Sequence, residues 1–522
     1  MKNIIFILTL CFAFASCEAE KEAKRIAWTT NSAEANALFE EFLVNIEHSR
    51  WDPEVQEMLF DSILSLDPDF HMAKTFGRFK PNEERRNLFL SAYNNRSSLS
   101  DLELRLIESQ YEIRINGNRI NQDKLLDQII EDYPEYFQLR IWSGDVKNNF
   151  DVKASEKRWE EALEINPKSF QAYVNLAFLH FPTGDFSMLA EDERDIKKAE
   201  NLLKKGSEIY PESSRWPRFL GNIYRGKGEF EQALDYYKKS LDRIENFETG
   251  AESGPYANSL MMIGHVNTFQ GNYSDARDYY QNAIDISNNW WKVQIAERAS
   301  HTYIYEKDFS KAVLYLSKMQ DEISKYDEEE ITIINWTNYI EFTKFLAFGH
   351  SQKEEESRLS IEKIESLRRQ RLEIQLSTAI DDNQKERFIL NSRIDELELQ
   401  MWFKILFGNY EEARSRMVEY KKLKTQQLAF NQNAMNRFHK FEGYLNLMEG
   451  NPEESIAAYG NLSKQAIDQD GYHSYFLALA KRAVGQDEES KEMFIRLANN
   501  HFSTWQNAFV KNLAKAQIKT NL

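Results

Sequence analysis

The stretch that decides the fold is RWPRFLGNIYRGKGEFEQALDYYKKSL, residues 215–241. A second stretch, SLMMIGHVNTFQGNYSDARDYYQNAI, residues 259–284, repeats its pattern with the same spacing. Positions that agree between the two copies include Gly221 with Gly264, Gly228 with Gly271, Ala233 with Ala276 and Tyr237 with Tyr280. Each copy predicts two helices joined by a tight turn, because a small residue lets two helices approach closely and glycine accepts a positive φ at low cost.

The same spacing recurs, with lower fidelity, along most of the chain. Four prolines mark the ends of predicted helices, with separations of 66, 33 and 44 residues: Pro68, Pro134, Pro167 and Pro211. A period near 33–34 residues is typical of stacked helix–turn–helix units. The pattern resembles the tetratricopeptide (TPR) repeat. The resemblance implies an all-α TPR α-solenoid, a right-handed superhelix of about twelve antiparallel helix pairs.

Length and composition agree with such an array. The chain has 522 residues, 42% of them hydrophobic and 29% charged, and a repeat array reaches this length without one large core because each unit packs only on its neighbours. The formal net charge of −17 argues against nucleic acid and against an anionic membrane surface as partners.

The amino terminus reads MKNIIFILTLCFAFASC, with one positive charge at Lys2 followed by an apolar run over residues 4–15. This layout is typical of a secretory signal and is too short for a membrane-spanning helix. Residues 14–17, FASC, resemble a bacterial lipobox, which implies a signal peptide over 1–16 and acyl chains, palmitate among them, on Cys17. Ordinary secretion is the alternative.

The residue after the cysteine is Glu18 rather than aspartate, which favours the outer membrane over retention in the inner one. The start and the repeats together resemble outer-membrane TPR lipoproteins of Bacteroidota, and whether the chain faces the periplasm or the cell surface stays open. The only other cysteine is Cys11, so the mature chain would hold no free thiol for a disulfide or a thiolate site.

We expect five segments along the chain. They are the signal peptide (1–16), the lipidated cysteine with a flexible tether (17–32), an N-terminal TPR array (33–350), a long charged helical joint with an irregular repeat (351–393), and a C-terminal TPR array with a capping helix (394–522). A second irregularity is the extra stretch SMLAEDERDI at 187–196. Both irregular stretches can also be tolerated surface insertions, since loops accept added length at small entropic cost.

Motifs for chemistry are missing from the sequence. It contains no GxxxxGK[ST], no HExxH and no GxSxG, and its nine histidines do not pair at metal-ligand spacing. The run DQDG at 468–471 lacks the remaining ligands of a calcium loop. We therefore expect no enzyme, no cofactor and no metal site.

Candidate binding residues follow from the TPR resemblance, which implies that the first helix of each unit lines the concave face. That face collects Arg215, Arg218, Asn222, Arg225, His265, Arg298 and His301. The first four share one helical stripe, because their spacing is 3, 4 and 3. Three positions, Arg218, Asn222 and Arg298, also resemble places of the carboxylate clamp of chaperone-binding TPR domains, whereas Met262 and Gln294 depart from it.

Guanidinium groups bind carboxylate and sulfate in a bidentate manner, so the groove could hold an acidic peptide or an anionic glycan. The alternative is that these arginines pair with acidic neighbours on adjacent units. The leading hypothesis is a non-enzymatic, outer-membrane-anchored scaffold that binds a protein segment in its groove and organises a complex of the cell envelope. The other hypothesis is an accessory binding lipoprotein of a polysaccharide-utilisation system, which serves glycan uptake or degradation.

Overall fold

Helices account for most of the part of the chain that the computed structural model describes, namely residues 23–48, 53–78, 80–182, 188–244 and 253–519. Within these ranges there are 26 α-helices, two short 3₁₀ turns and no strand. The predicted signal peptide and the predicted lipid attachment at Cys17 lie outside the described residues.

The helices follow one another with short connections. The first thirteen are α1 (Ala33–Glu47), α2 (Pro53–Leu66), α3 (His71–Lys74), α4 (Asn82–Asn94), α5 (Asp101–Arg114), α6 (Arg119–Asp132), α7 (Phe137–Lys147), α8 (Val152–Ile165), α9 (Phe170–Leu179), α10 (Ile196–Ile209), α11 (Arg215–Gly226), α12 (Phe230–Leu241) and α13 (Ser253–Gln270). The other thirteen are α14 (Tyr273–Asp285), α15 (Asn289–Tyr305), α16 (Phe309–Ile323), α17 (Glu330–His350), α18 (Glu354–Thr378), α19 (Asp382–Leu406), α20 (Tyr410–Gln427), α21 (Ala434–Met448), α22 (Pro452–Tyr459), α23 (Lys464–Asp468), α24 (Gly471–Ala483), α25 (Asp487–Asn499) and α26 (Trp505–Lys519).

Neighbouring helices pack as pairs, from α1 with α2 through α21 with α22, and then α24 with α25. This gives twelve pairs over the described residues, with α23 as a short additional helix and α26 packed behind the last pair. The expected all-α array of about twelve helix pairs is confirmed over the described residues. The four prolines each lie two residues beyond a helix end, after Leu66, Asp132, Ile165 and Ile209, where a residue without an N–H cannot continue the helix.

In four of the described pairs, α7–α8, α11–α12, α13–α14 and α21–α22, the two helices meet where a glycine faces an aromatic ring. A Cβ atom on Gly221 would lie 2.5 Å from the Tyr237 ring, and one on Gly443 would lie 2.6 Å from the Tyr459 ring. Between the two helices of α11–α12, Gly228 has φ of 79°, which is the left-handed region that favours glycine. The repeated sequence pattern therefore sets how closely each pair packs and how sharply it turns.

Later pairs return to contact earlier ones. The Asn433 side chain donates from Nδ2 to the backbone oxygen of Asn149 at 2.9 Å, across a sequence separation of 284 residues. Lys464 pairs with Asp192 at 2.9 Å across 272 residues, and His501 Nδ1 lies 3.5 Å from the Gly226 oxygen across 275 residues. Contacts between successive turns of the solenoid thus span sequence separations from 202 to 292 residues.

Both irregular stretches take part in these contacts. The end of the first one packs on α23, since the backbone N–H of Glu191 donates to Asp468 Oδ2 at 3.0 Å. In the second, Arg86 of α4 donates to the backbone oxygen of Thr378 at the end of α18. The extra residues therefore connect one turn of the solenoid with the next.

Two of the expected segment boundaries differ from the helix pairing. Residues 23–32, expected to be part of a flexible tether, pack against the first units, because Ile26 and Trp28 are buried and Arg25 pairs with Glu40 at 2.6 Å. Helix α18 pairs with α17 across the expected boundary at 350, and α19 continues across the one at 393. The division into two arrays stays a prediction.

The contact between Gly221 and Tyr237 gives a test of this packing. We expect Gly221→Ala to lower the free energy of unfolding by about 2 kcal/mol, because the new methyl group overlaps the ring. Gly271→Ala is the matched control. No atom lies within 4 Å of its added Cβ, so its cost of about 1 kcal/mol comes from the positive φ alone. Urea unfolding measures both, and equal losses would contradict the packing argument.

Candidate functional site

A cavity of about 640 Å³ opens along four consecutive helix pairs. Its walls come from α9, α11, α13 and α15, which are the first helices of their pairs, as the TPR resemblance implies for a concave face. The residue Phe502, from the irregular segment before α26, completes the lining. We call this cavity the groove.

The lining of the groove is cationic and rich in amides. Its three charged side chains are Arg215, Arg218 and Arg298, and its amide side chains are Gln171, Asn175, Asn222, Asn258 and Asn288. Among the nineteen described residues that line it there is no aspartate or glutamate, although the chain as a whole carries −17. The groove therefore carries a local excess of positive charge in a chain whose net charge is negative.

Five of the seven predicted binding residues line the groove: Arg215, Arg218, Asn222, His265 and Arg298. The other two, Arg225 and His301, are both 0% exposed and do not line it. His301 Nε2 lies 2.8 Å from Glu297 Oε1, and Arg225 Nη1 lies 2.7 Å from the sulfur of Met262. The structure therefore brings the stripe together but covers one end of it. The binding role of all seven stays a prediction.

Arg298 is held by its own helix. Its Nη1 donates to the Gln294 backbone oxygen at 2.9 Å and lies 3.3 Å from Glu297 Oε2. Burial of Glu297 opposes its ionisation, yet the neighbouring His301 and Arg298 hold the pKa of this carboxyl below its ordinary value. For Arg298 the pairing with an acidic neighbour, raised from the sequence as the alternative, is thus present. Arg298 therefore offers only part of its guanidinium group to a ligand, because its Nη1 atom already has partners.

Two tyrosines orient polar groups of the lining. The Tyr237 hydroxyl donates to Asn222 Oδ1 at 2.8 Å, which leaves the amide Nδ2 of Asn222 as the donor for a further partner. His265 Nδ1 shares a 2.6 Å hydrogen bond with the Tyr280 hydroxyl. Burial, and then the positive charge of Arg225 and Arg298, lower the pKa of His265 well below its ordinary value. This histidine is therefore neutral at pH 7 and adds no charge to the groove.

Aromatic side chains form the rim and one wall. Trp290 is 46% exposed at the start of α15, and its ring centroid lies 6.0 Å from that of Trp336. Phe178 and Phe219 line the wall, with their rings in an edge-to-face contact at 5.0 Å. Half-exposed aromatic rings beside amides suit a ligand with both apolar and polar parts.

The segment that carries Phe502 is fixed from both sides. His501 packs its ring against Phe230 at 4.9 Å, and Ser503 Oγ lies 3.4 Å from His301 Nδ1. The buried Lys511 donates to the backbone oxygen of Asn500 at 2.6 Å. Sequence reasoning missed Phe502, because nothing local marks a residue that meets the groove only after one turn of the solenoid.

The described ranges contain neither a candidate metal site nor a candidate membrane-spanning helix. No group of three or more His, Cys, Asp or Glu side chains within them could hold a metal ion. None of the described helices combines the length and the apolar character needed to cross a bilayer.

Neutral His265 gives a pH dependence with a defined sign. Its pKa is lower in the folded chain than in the unfolded one, so the unfolded chain binds more protons as the pH falls below about 6.5. We expect the stability difference between wild type and His265→Gln to shrink from pH 7 to pH 5, by up to about 1.4 kcal/mol per pH unit. Urea unfolding across this range measures it. Parallel pH profiles would contradict a buried neutral histidine.

One protein family model matches the segment that forms two of the helix pairs at the groove. Residues 214–289 match the family model described as tetratricopeptide repeat, a span that covers α11 to α14. No curated protein sequence matches the chain.

Among solved structures, a Rap protein complexed with Competence and Sporulation Factor has 15% sequence identity to this chain and a TM-score of 0.38. The match covers 76% of this chain and 99% of that one. The TPR domain of P58(IPK) is 15% identical with a TM-score of 0.23, over 74% and 99%. The APC/C hetero-tetramer Cut9-Hcn1 is 14% identical with a TM-score of 0.36, over 86% and 76%. The groove of this all-helical solenoid is thus centred on a segment that matches the tetratricopeptide repeat family.

Proposed function

We propose that this chain is a non-enzymatic scaffold that binds an extended segment of a partner protein in the groove. The observation that carries the proposal is the lining itself, which joins three arginines, five amides and exposed aromatic rings without a carboxylate among its described residues. A TPR-type role in protein–protein interaction is also what the match over residues 214–289 supports.

The chemistry of the lining fits a peptide. Amide side chains donate to and accept from a backbone, and Asn222 keeps its Nδ2 group for this because Tyr237 occupies its oxygen. Arg218 is half-buried, with its guanidinium carbon 5.0 Å from the Phe219 ring centroid, so its planar group is held in place rather than free in solution. The rim residue Trp290 supplies apolar contact area. An acidic segment therefore suits the groove best.

We further propose that the chain works at the outer membrane, anchored by acyl chains on Cys17, and organises a complex of the cell envelope there. The support is the sequence of residues 1–17, with its single positive charge, apolar run and lipobox-like end. Two hydrophobic chains suffice for stable anchoring of a protein to a bilayer.

Capture of an anionic glycan is the second candidate function. One observation favours it: the half-exposed Trp290 lies beside Asn288 and the arginines, and an aromatic face next to polar donors suits a sugar ring. The same arginines would then pair with carboxylate or sulfate groups of the glycan.

A site-specific crosslink tests the groove. The only cysteines of the chain are Cys11 and Cys17, so a cysteine introduced at Trp290 carries a photoreactive maleimide at one place in the mature protein. We expect irradiation in isolated envelopes to give a discrete protein adduct. Adding Arg218→Ala should lower the yield about 10-fold or more, as for a central interface arginine. Mass spectrometry of the adduct measures both effects.

Val418→Cys is the matched control, because this residue is 73% exposed on α20 and does not line the groove. We expect no adduct from it. The same adducts from both positions would contradict groove binding. Absence of any protein adduct, together with binding of the chain to anionic glycans on an array that Arg218→Ala abolishes, would favour the glycan function instead.

The lipid anchor has its own test. We expect the wild-type chain to sediment with membranes and to incorporate labelled palmitate. Cys17→Ser should lose the label and move to the soluble fraction, because the proposed acyl chains on Cys17 anchor the chain to the bilayer. Cell fractionation with palmitate labelling measures this. Cys11→Ser is the control and should behave as wild type, and a Cys17→Ser chain that remains in the membrane fraction would refute the anchor.

A further inference from the structure

Beneath the residues that line the groove, in the layer that we call its floor, lies a buried cation that forms no ion pair among the described residues. Arg225, at the last turn of α11, is 0% exposed. Its Nε and Nη2 atoms are buried and have no hydrogen-bond partner among the described residues. Its Nη1 atom lies 2.7 Å from the sulfur of Met262, which is a weak acceptor. Burial of an unpaired charge is costly, so this guanidinium is a group that lacks its partner.

Within the described ranges no carboxylate forms an ion pair with Arg225. Glu297 is the buried carboxylate of this region, and it is committed to His301 at 2.8 Å and to Arg298 at 3.3 Å. His265 lies close enough for the charge of Arg225 to contribute to lowering its pKa, so it stays neutral. The space around Arg225 therefore keeps an excess of positive charge.

The two unpaired nitrogens lie on the same edge of the guanidinium. Nε and Nη2 form the side-on fork that receives both oxygens of one carboxylate. What covers Arg225 belongs to the groove: the Phe502 ring, whose centroid is 5.6 Å from the guanidinium carbon, and Met262 both line the cavity. A ligand in the groove would therefore have to displace a lining side chain beside Arg225 to reach the fork.

We infer that Arg225 is a carboxylate-binding subsite at the floor of the groove, closed by Phe502 until a ligand arrives. An acidic side chain or the carboxyl terminus of the bound segment displaces the Phe502 ring and accepts hydrogen bonds from Nε and Nη2. This inference rests on the proposed function, because it names the chemistry by which the groove selects its segment. A carboxylate held between two donors away from water is favoured over a neutral group.

Binding of a labelled acidic peptide tests the subsite. The probe is fluorescein-labelled hexaglutamate, with hexaglutamine as the matched neutral peptide, and fluorescence anisotropy gives the dissociation constant. We expect the wild-type chain to bind hexaglutamate and Arg225→Met to bind it at least 10-fold more weakly. Phe502→Ala should bind it several-fold more tightly, because the fork is no longer covered. Hexaglutamine should bind weakly to all variants.

Two controls keep the result interpretable. Arg225→Met replaces a buried unpaired charge by an apolar chain of similar length, so we expect it to remain folded, with a melting temperature at or above that of wild type. Arg393→Met removes a surface arginine of α19 that pairs with Glu419, and it should bind the probe as wild type does. Equal affinities of wild type and Arg225→Met for hexaglutamate would overturn the inference.

A small free carboxylate, rather than a carboxylate of a bound peptide, is the alternative occupant of the Arg225 subsite. Sodium acetate, titrated at constant ionic strength against chloride, distinguishes it. We expect acetate to compete with hexaglutamate in wild type and not to raise the melting temperature of Arg225→Met. If acetate stabilises the chain through Arg225 but never displaces the peptide, the occupant is a free anion and the inference fails. The crosslink from position 290 tests the proposed groove binding separately. A protein adduct at position 290, obtained although hexaglutamate does not bind, would refute the Arg225 subsite and leave the groove proposal intact.

Discussion

The contact between a glycine and an aromatic ring inside several helix pairs, among them the two pairs α11–α12 and α13–α14 at the groove, fixes the geometry on which the groove depends. Gly221 against Tyr237, Gly264 against Tyr280 and Gly443 against Tyr459 leave no room for a Cβ atom, so these pairs pack at closely similar separations. A pair that keeps its geometry adds the same rotation at each step of a solenoid, and the small rotations add up to curvature. The first helices of successive pairs then share one concave face, and the groove lies on that face.

Accumulated curvature also explains why one wall of the groove comes from far along the chain. The solenoid returns to its own earlier pairs 202 to 292 residues further along the chain, and His501 contacts Gly226 in this way. This brings Phe502 into the lining and lays it over Arg225. The floor of the groove is thus built by two turns of the solenoid.

The sequence could predict what depends on local periodicity. The spacing of small and aromatic residues sufficed for the helix pairs, and the stripe of Arg215, Arg218 and Asn222 was placed on the face that lines the groove. It could not predict that Arg225, on the same stripe, is covered, because the cover comes from Phe502 and depends on the pitch of the solenoid. No residue near Arg225 in the sequence encodes that pitch. For the same physical reason, the sequence could not predict that the two irregular stretches contact the next turn of the solenoid.

The charge of the groove shows why a net charge is a poor guide to a binding site. A formal charge of −17 argues against anionic partners for the surface as a whole, but charges separated by more than about 8 Å are largely screened at physiological ionic strength. Within the groove the arginines are closer to a ligand than that distance, and no described lining residue is acidic. The local field therefore decides what binds there. The net negative charge of the rest of the chain then adds selectivity, because on average it disfavours contact of the same anionic segment outside the groove.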